Sequence, residues 1–251
     1  METLDYQPYS PDKTYLASVI ILGGGLAGMS AAWRLASKGF KVTMVEQRPY
    51  LGGRAYSYRD RQTGKHLDNG QHVFLGCCTS YTEFLEEIGT LHLTTRQAKL
   101  RMEFRNAKGI IGVISTMPLP APFHLLYSFL RFPFVTWREK FRILKALNSI
   151  ARHKIQCNDS LETINFQEWL SKNGQSSHAI KNFWELIIVP TLNDETKNVA
   201  ANIAFKVIKE ALLTNRNGAN VGFARVGLSE IMGDAVKEKL TNEGSDIRLG
   251  H

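Results

Sequence analysis

Gly23, Gly25 and Gly28 follow one another as G-x-G-x-x-G, between an apolar run, Tyr15–Leu22, and a stretch of helical periodicity. No other feature of the chain constrains its folding so tightly. The run before the glycines predicts a strand buried on both faces, as in a parallel sheet. After them, Leu26, Met29, Ala32, Trp33 and Leu35 form the broad apolar side of a helix over Leu26–Ser37, which Lys38-Gly39 ends. Phe40–Val45 predicts a second strand, closed by Glu46. Strand, turn, helix and strand fit within about 30 residues, the size of a βαβ unit. In such a turn the first glycine permits the tight bend. The second lets backbone approach a pyrophosphate, and the third lets helix and strand pack closely. The helix start, Leu26-Ala27-Gly28, offers unpaired N–H groups and a positive dipole to phosphates. Glu46 lies 23 residues after Gly23, where a carboxylate accepts hydrogen bonds from ribose hydroxyls. That carboxylate disfavours the 2′-phosphate of NADP, so FAD and NAD both remain.

The 251 residues carry 31 Lys and Arg against 23 Asp and Glu, a net charge of +8. Hydrophobic residues make up 43% and charged residues 22%. This globular composition excludes disordered, collagen-like and small disulfide-stapled chains. The positive balance admits attraction to a phosphate-rich surface, nucleic acid or anionic lipid. The basic residues share faces with large apolar ones and no nucleic-acid motif occurs, so nucleic acid is not an expected partner. Cys77, Cys78 and Cys157 are odd in number, two of them adjacent, with no C-x-x-C. A reducing compartment is the simpler reading. The start, Met1-Glu2-Thr3-Leu4-Asp5, lacks the basic and apolar regions of a signal peptide, so the expected location is cytoplasmic. There is no H-E-x-x-H, G-x-S-x-G or P-loop, and no metal site is expected.

Further along, Leu100, Met102 and Phe104 alternate with charged residues. Asn106–Gly109 then leads into Ile110, Ile111 and Val113, which predicts a hairpin near 99–114. Gly109 to Leu130 carries no formal charge, but Pro118, Pro120 and Pro122 argue against a spanning helix. Phe123–Ala151 is helical in pattern, interrupted at Pro133. Its apolar side is expected to include Trp137, Phe141, Leu144, Leu147 and Ile150, beside basic Arg131, Arg138, Lys140, Arg142 and Lys145. This pattern suits either a helix pair with a solvated basic side or a helix resting in a membrane interface. Residues 160–190 are helical again, closed by Pro190; Ala200–Leu213 and Ser229–Leu240 predict two more helices, and Asp246–Leu249 a strand. Trp137, Trp169 and Trp184 are either core or the lining of an apolar tunnel.

Six residues after Glu46 comes Gly52-Gly53-Arg54-Ala55. Here the chain resembles the FAD-binding amine oxidase and phytoene desaturase superfamily. The resemblance implies FAD as the cofactor, with Arg54 near its pyrophosphate and the backbone of Gly52 and Gly53 close by. Asp68-Asn69-Gly70-Gln71-His72, followed by Val73-Phe74-Leu75-Gly76-Cys77, is similar to the squalene-associated branch, the hydroxysqualene dehydroxylases. Phe183-Trp184, Val189–Asn193 and Arg225–Glu230 match further. The implied fold class is α/β: a Rossmann-like FAD-binding βαβ core with an inserted, α+β substrate domain of helices and a hairpin. The implied layout is a flexible leader over 1–14, the FAD-binding part over 15–80, a substrate domain over 81–220, and a return toward the FAD domain over 221–251. Gly70, Gln71 and His72 would run past the flavin ring. His72 and Asp68 are the candidate catalytic residues; the alternatives are a loop-holding histidine and a turn-capping aspartate. The implied substrate is a long isoprenoid, which lives in membrane, with peripheral contact through 117–154. A carotenoid desaturase is the rival reaction, and an inactive FAD-binding fragment the rival of another kind. Members of the superfamily are longer, so the expectation is an N-terminal part of such an enzyme, either truncated or split with its C-terminal half on another chain.

Overall fold

The computed structural model describes residues 14–70, 72–154 and 160–251; Gln71, Cys157 and the expected leader up to residue 13 lie outside the described residues. In chain order the strands are β1 Ser18–Leu22, β2 Lys41–Glu46, β3 Ser57–Arg59, β4 His66–Asp68, β5 Val73–Leu75, β6 Thr94–Arg96, β7 Arg101–Arg105, β8 Ile111–Ser115, β9 Val221–Ala224 and β10 Asp246–Leu249. The helices are α1 Leu26–Ala36, α2 Thr79–Glu87, α3 Leu126–Arg131, α4 Trp137–Arg152, α5 Phe166–Lys172, α6 Ser177–Ala179, α7 Glu185–Leu192, α8 Ala201–Ile208 and α9 Ala235–Asn242. π-helical turns at Ile180–Trp184, Lys209–Thr214 and Ser229–Asp234 continue three of these helical runs.

Two compact units share the chain. One takes in the residues up to Phe74, Thr79–Thr95 and Gly222–His251; the other takes in Leu75–Cys78 and Arg96–Val221. α2 thus falls in the first unit, whereas the sequence reading began the substrate part at residue 81. The reason is packing: Phe84 and Leu85 of α2 are buried in the core of that unit.

In the first unit β1, β2 and β10 form a parallel sheet in that order, with Val19 opposite Val42 and Ile247 opposite Met44. Met29, Ala32 and Ala36 of α1 join Val42 and Met44 of β2 in a core completed by Ile231, Val236 and Leu240. Each large apolar side chain buried there contributes about 1.5–3 kcal/mol. Gly39, at φ 87°, turns the chain from α1 into β2. The expectation that β1 is buried on both faces is corrected: Ile20 is 69% and Leu22 81% exposed. β1 is an edge strand, and only its alternate residue Ile21 turns toward the core that α1 helps build.

In the second unit β7 and β8 form the expected hairpin, with Arg101 opposite Ser115. α3 ends before Pro133, and Thr136 caps α4 in a reciprocal box with Glu139. Pro190 does not end its helix as expected. It sits inside α7, which closes at Leu192 where Asn193 takes the left-handed conformation, φ 55°, and its N–H reaches the Val189 carbonyl at 2.8 Å. Pro190 removes one helical N–H donor, and the helix runs only two residues beyond it. Trp169 and Trp184 are core residues: Trp184 is fully buried, packs edge-on against Phe166 and Phe183, and donates its indole N–H to Gln175. Trp137 is not among them.

Another correction concerns α4. Its buried face is Ile143, Ala146 and Ile150, while Trp137 and Phe141 stand on the opposite, exposed face among the cations. The periodicity of 3.6 puts Trp137 and Phe141 above one another at i, i+4, about half a turn from Ile143 and Ile150.

Candidate functional site

The glycine turn leaves β1 and enters α1. Gly23 has φ 99°, a conformation that disfavours any side chain, and its N–H donates to the Val45 carbonyl at 2.8 Å. Gly25 caps α1 without a side chain, and the first helical bond runs from the Met29 N–H to the Gly25 carbonyl at 2.9 Å. The N–H groups of Leu26, Ala27 and Gly28 therefore precede the helix's own hydrogen bonding and point out of its positive end. A Cβ on Gly25 would meet nothing within 4 Å, whereas one on Gly28 would overlap the Gly23 carbonyl oxygen and lie 3.1 Å from its carbon. One glycine thus keeps space open, and the other lets helix and turn touch.

Glu46 ends β2 and is 6% exposed. Its Oε2 accepts from the Gly24 N–H at 2.6 Å and its Oε1 from the Arg48 N–H at 2.9 Å. The carboxylate clasps the glycine turn, and each oxygen keeps a lone pair for a further donor such as a ribose hydroxyl.

Gly52 pairs with Gly25 in an isolated parallel bridge, with its N–H on the Gly24 carbonyl at 2.8 Å. Gly52 has φ 113° and Gly53 φ 61°. A Cβ on Gly53 would come within 3.2 Å of the Gly25 Cα. The two glycine motifs, far apart in sequence, are therefore one backbone surface. The sequence reading missed Arg48. Its guanidinium donates to the Gly53 carbonyl at 2.9 Å and to the Tyr50 hydroxyl at 3.3 Å, and Tyr50 stacks on Tyr56 with ring centroids 3.6 Å apart. Its signal was its place two residues after Glu46. Arg54 is exposed, and its carbonyl accepts from the Asn69 side chain at 2.6 Å. Asn69 also bonds backbone to backbone with Tyr56, which draws the Asp68–His72 segment to the second glycine motif.

Asp68, at the end of β4, accepts on Oδ1 from the Ser57 hydroxyl at 2.6 Å and the Leu228 N–H at 3.2 Å. Ser57 and Ser229 are tied by backbone and hydroxyl bonds around it. Gly70 and His72 are exposed, and His72 Nδ1 lies 2.8 Å from the Gly70 carbonyl oxygen. When Nδ1 carries the proton for that bond, Nε2 is left facing outward for other chemistry. Gln71, assigned to the same stretch, lies outside the described residues. The structure thus gathers Gly23, Gly25, Gly28, Glu46, Gly52 and Gly53 tightly. It holds Arg54, Asp68, Gly70 and His72 on the adjoining exposed segment.

A cleft of about 310 Å³ in the same unit is lined by Tyr50, Tyr56, Arg59, His66, Glu230 and Lys237 among others. Cys77 sits in a small apolar cluster of the other unit, where burial, then the neighbouring Cys78 thiol, raises its pKa. A thiol kept protonated is a poor nucleophile. Among the described residues no group of His, Cys, Asp and Glu could hold a metal ion, and no helix is long and apolar enough to cross a membrane.

FAD fits what is present: backbone at Gly25 with nothing within 4 Å of a Cβ placed there, a helix start without a capping side chain, and a buried carboxylate against the glycine turn. A zeta-carotene desaturase of Zea mays is 27% identical over 241 residues, covering 92% of this chain and 42% of the relative. A hydroxysqualene dehydroxylase of Rhodopseudomonas palustris is 24% identical over 246 residues, covering 93% of this chain and 53% of the relative. The chain spans about half the length of the curated relatives it matches. The crystal structure of an oxidoreductase from Methanosarcina mazei superposes with a TM-score of 0.65 at 20% identity, over 94% of this chain and 51% of that one. The fold is thereby the mixed α/β, Rossmann-like fold. The profile of the flavin containing amine oxidoreductases matches residues 26–251, from the first residue of α1 onward. Glycine turn, acid and second glycine motif thus stand in the framework of a known flavoprotein group, and the chain belongs to the flavin containing amine oxidoreductase family.

Proposed function

We propose that this chain carries the FAD site of an oxidoreductase that removes the hydroxyl of hydroxysqualene and leaves squalene. The observation that carries the reading is the union of both glycine motifs and Glu46 into one surface, with the Asp68–His72 segment tied to it through Asn69. The relatives named hydroxysqualene dehydroxylase and zeta-carotene desaturase support a long isoprenoid as the substrate class. In this reading Gly23, Gly25, Leu26, Ala27 and Gly28 hold the pyrophosphate and Glu46 the ribose. Gly52, Gly53 and Arg54 close the phosphate site, with Arg48 bracing it. Gly70, Gln71 and His72 border the flavin ring.

The reduced flavin, when bound, supplies hydride to carbon. His72 donates the proton with which the hydroxyl leaves as water, so one C–O bond is replaced by one C–H bond. Asp68 holds the segment that carries His72 through Ser57 and the Leu228 N–H. An isoprenoid of this kind partitions into bilayers, so contact of residues 117–154 with a membrane belongs to the same reading, as does a further polypeptide that completes the enzyme.

The second reading is a carotenoid desaturase, which runs the redox the other way and makes a C=C bond. The zeta-carotene desaturase relatives favour it. The third is a chain that binds FAD without turnover. The deciding experiment loads the purified chain with FAD, desalts it and records the visible spectrum. It then follows hydroxysqualene under a reductant and zeta-carotene under an oxidant. A flavin band is the expected result, and squalene formed under the reductant is the product that the first reading requires. Dehydrogenated carotene as the product would replace the first reading by the second. Absence of a flavin band from folded protein would overturn the assigned site.

A further inference from the structure

We propose that the outward face of α4, with the cleft beside its first turn, docks this protein onto the surface of an anionic phospholipid bilayer. The proposal refines the membrane part of the preceding reading to one surface and one lipid class.

Helix α4 buries Ile143, Ala146 and Ile150. On its other side stand Trp137, 70% exposed, and Phe141, 73% exposed. Arg138, Arg142, Lys145 and Arg152 are exposed with them. The only carboxylate of α4, Glu139, is buried beneath and tied to Thr136, Ser176 and His178. The exposed face therefore combines two large aromatics one turn apart with four cations and no anion. Two such aromatics kept in water forgo their burial energy. Aromatic rings favour the headgroup level of a membrane, and cations favour its negative surface potential.

The cleft adds a site for the headgroup itself. It measures about 580 Å³ and is lined by Tyr127, Leu130, Arg131, Trp137 and Lys140 among others. Lys140 is 6% exposed; its ammonium donates to the Leu130 carbonyl at 2.6 Å and lies 4.5 Å from the Trp137 ring centroid. An ammonium has three N–H donors, and among the described residues this one has a single acceptor. Burial also lowers its pKa, a shift that an anion in the cleft would oppose. Arg131 lies over the Tyr127 ring and donates to its hydroxyl at 2.8 Å. A lipid phosphate entering between Arg131 and Lys140 meets both cations while its acyl chains lie beside Trp137 and Phe141. Tyr127 and Phe123, both more than half exposed, extend the apolar surface. A nucleic acid would take the same charges, but the aromatics stand on the convex side of a helix rather than in a groove that stacks bases.

The test is flotation of the purified full chain with phosphatidylcholine vesicles, with and without phosphatidylglycerol, at low and high salt. The expected result is binding that needs the anionic lipid and weakens with salt. Trp137→Ala with Phe141→Ala is expected to lower partitioning at least about tenfold. Arg138→Gln with Arg142→Gln should lower it roughly 25-fold, about fivefold for each charge. Arg131→Gln should reduce the preference for anionic over neutral vesicles. All these side chains are exposed, so circular dichroism should show each variant folded. Equal binding to neutral vesicles, no binding to either, or binding of inorganic phosphate without vesicle binding would each overturn the proposal. So would tighter binding to a short single-stranded oligonucleotide that the same variants abolish. Flavin retention is read on the same variants without vesicles. The variants are expected to lose flotation and keep flavin; a parent chain that keeps flavin but does not float refutes the docking surface alone, and a parent chain that floats but keeps no flavin refutes the cofactor reading alone.

Discussion

Substituting alanine at Gly28 and at Gly25 should separate two roles that a motif cannot distinguish. At Gly28 the new Cβ would overlap the Gly23 carbonyl oxygen and sit 3.1 Å from its carbon. That carbonyl belongs to a turn held by the Gly23 N–H on Val45 and by Glu46 on Gly24. Neither side can yield cheaply, so α1 must lift from the turn. Overpacking of this kind costs about 1–3 kcal/mol. For a chain of this length that corresponds to a fall in Tm of roughly 3–10 °C. At Gly25 the φ of −74° and ψ of 178° suit any residue, and the Cβ has no neighbour within 4 Å. Alanine is a poorer N-cap than glycine but restricts the unfolded chain, and the two effects leave stability within about 1 kcal/mol of the parent. The Cβ does enter the space assigned to the pyrophosphate. Gly25→Ala should therefore melt with the parent chain and retain at least about tenfold less flavin, a loss of ~1.4 kcal/mol. Thermal unfolding followed by circular dichroism reads the first effect, and the flavin band after desalting reads the second. If Gly28→Ala melts with the parent, the close packing at the turn is wrong. If Gly25→Ala keeps its flavin, the pyrophosphate does not pass over Gly25.

Three other outcomes are expected. Burial alone would raise the Glu139 pKa, but hydrogen bonds from Ser176, Thr136 and His178 outweigh it and lower it from 4.5 to about 2. That difference contributes about 3 kcal/mol at neutral pH, present above pH 4.5 and lost as pH falls toward 2. Glu139→Gln should cost about 2–3 kcal/mol in urea unfolding at neutral pH, converging with the parent near the lower end of that range; parallel pH curves would refute this. His124 is fully buried, and neither ring nitrogen has a hydrogen-bond partner among the described residues. Burial, then the Arg216 charge, lowers its pKa from 6.5, so the native state resists protonation and loses stability as pH falls through 6.5. The stability of His124→Leu relative to the parent should rise on acidification, and a pH-independent difference would count against it. Asp68→Ala removes the Oδ1 that accepts two hydrogen bonds and should cost about 1–2 kcal/mol. Asp68→Asn keeps Oδ1 and should restore stability. An asparagine variant as unstable as the alanine one would mean the charge, not the acceptor, holds the segment.

What could be read along the chain was what local geometry decides. The βαβ unit was legible because its strand, turn and helix lie within one short stretch. Each glycine answers to a neighbour a few residues away: a bend at Gly23, a helix start at Gly25, a contact between Gly28 and Gly23. The hairpin of β7 and β8 and the strand β10 were legible for the same reason, from alternation and turn residues. Pro190 misled because packing of the helix outweighed the one hydrogen bond that proline removes, and α7 ran two residues further.

The chain's own order of residues thus determined the dinucleotide turn, the acid beside it and the succession of elements. Tertiary structure alone decided which surfaces meet. It brought Gly52 against Gly25 and the Asp68 carboxylate to the Leu228 N–H, 160 residues later. It left Ile20 and Leu22 exposed on an edge strand, where apolarity had suggested a buried one. It also set the rotation of α4, placing Trp137 and Phe141 with the cations rather than with Ile143 and Ile150. Periodicity states which residues share a helical face, but only packing decides which face turns inward, because the free energy of burial belongs to the pair of surfaces and not to either segment.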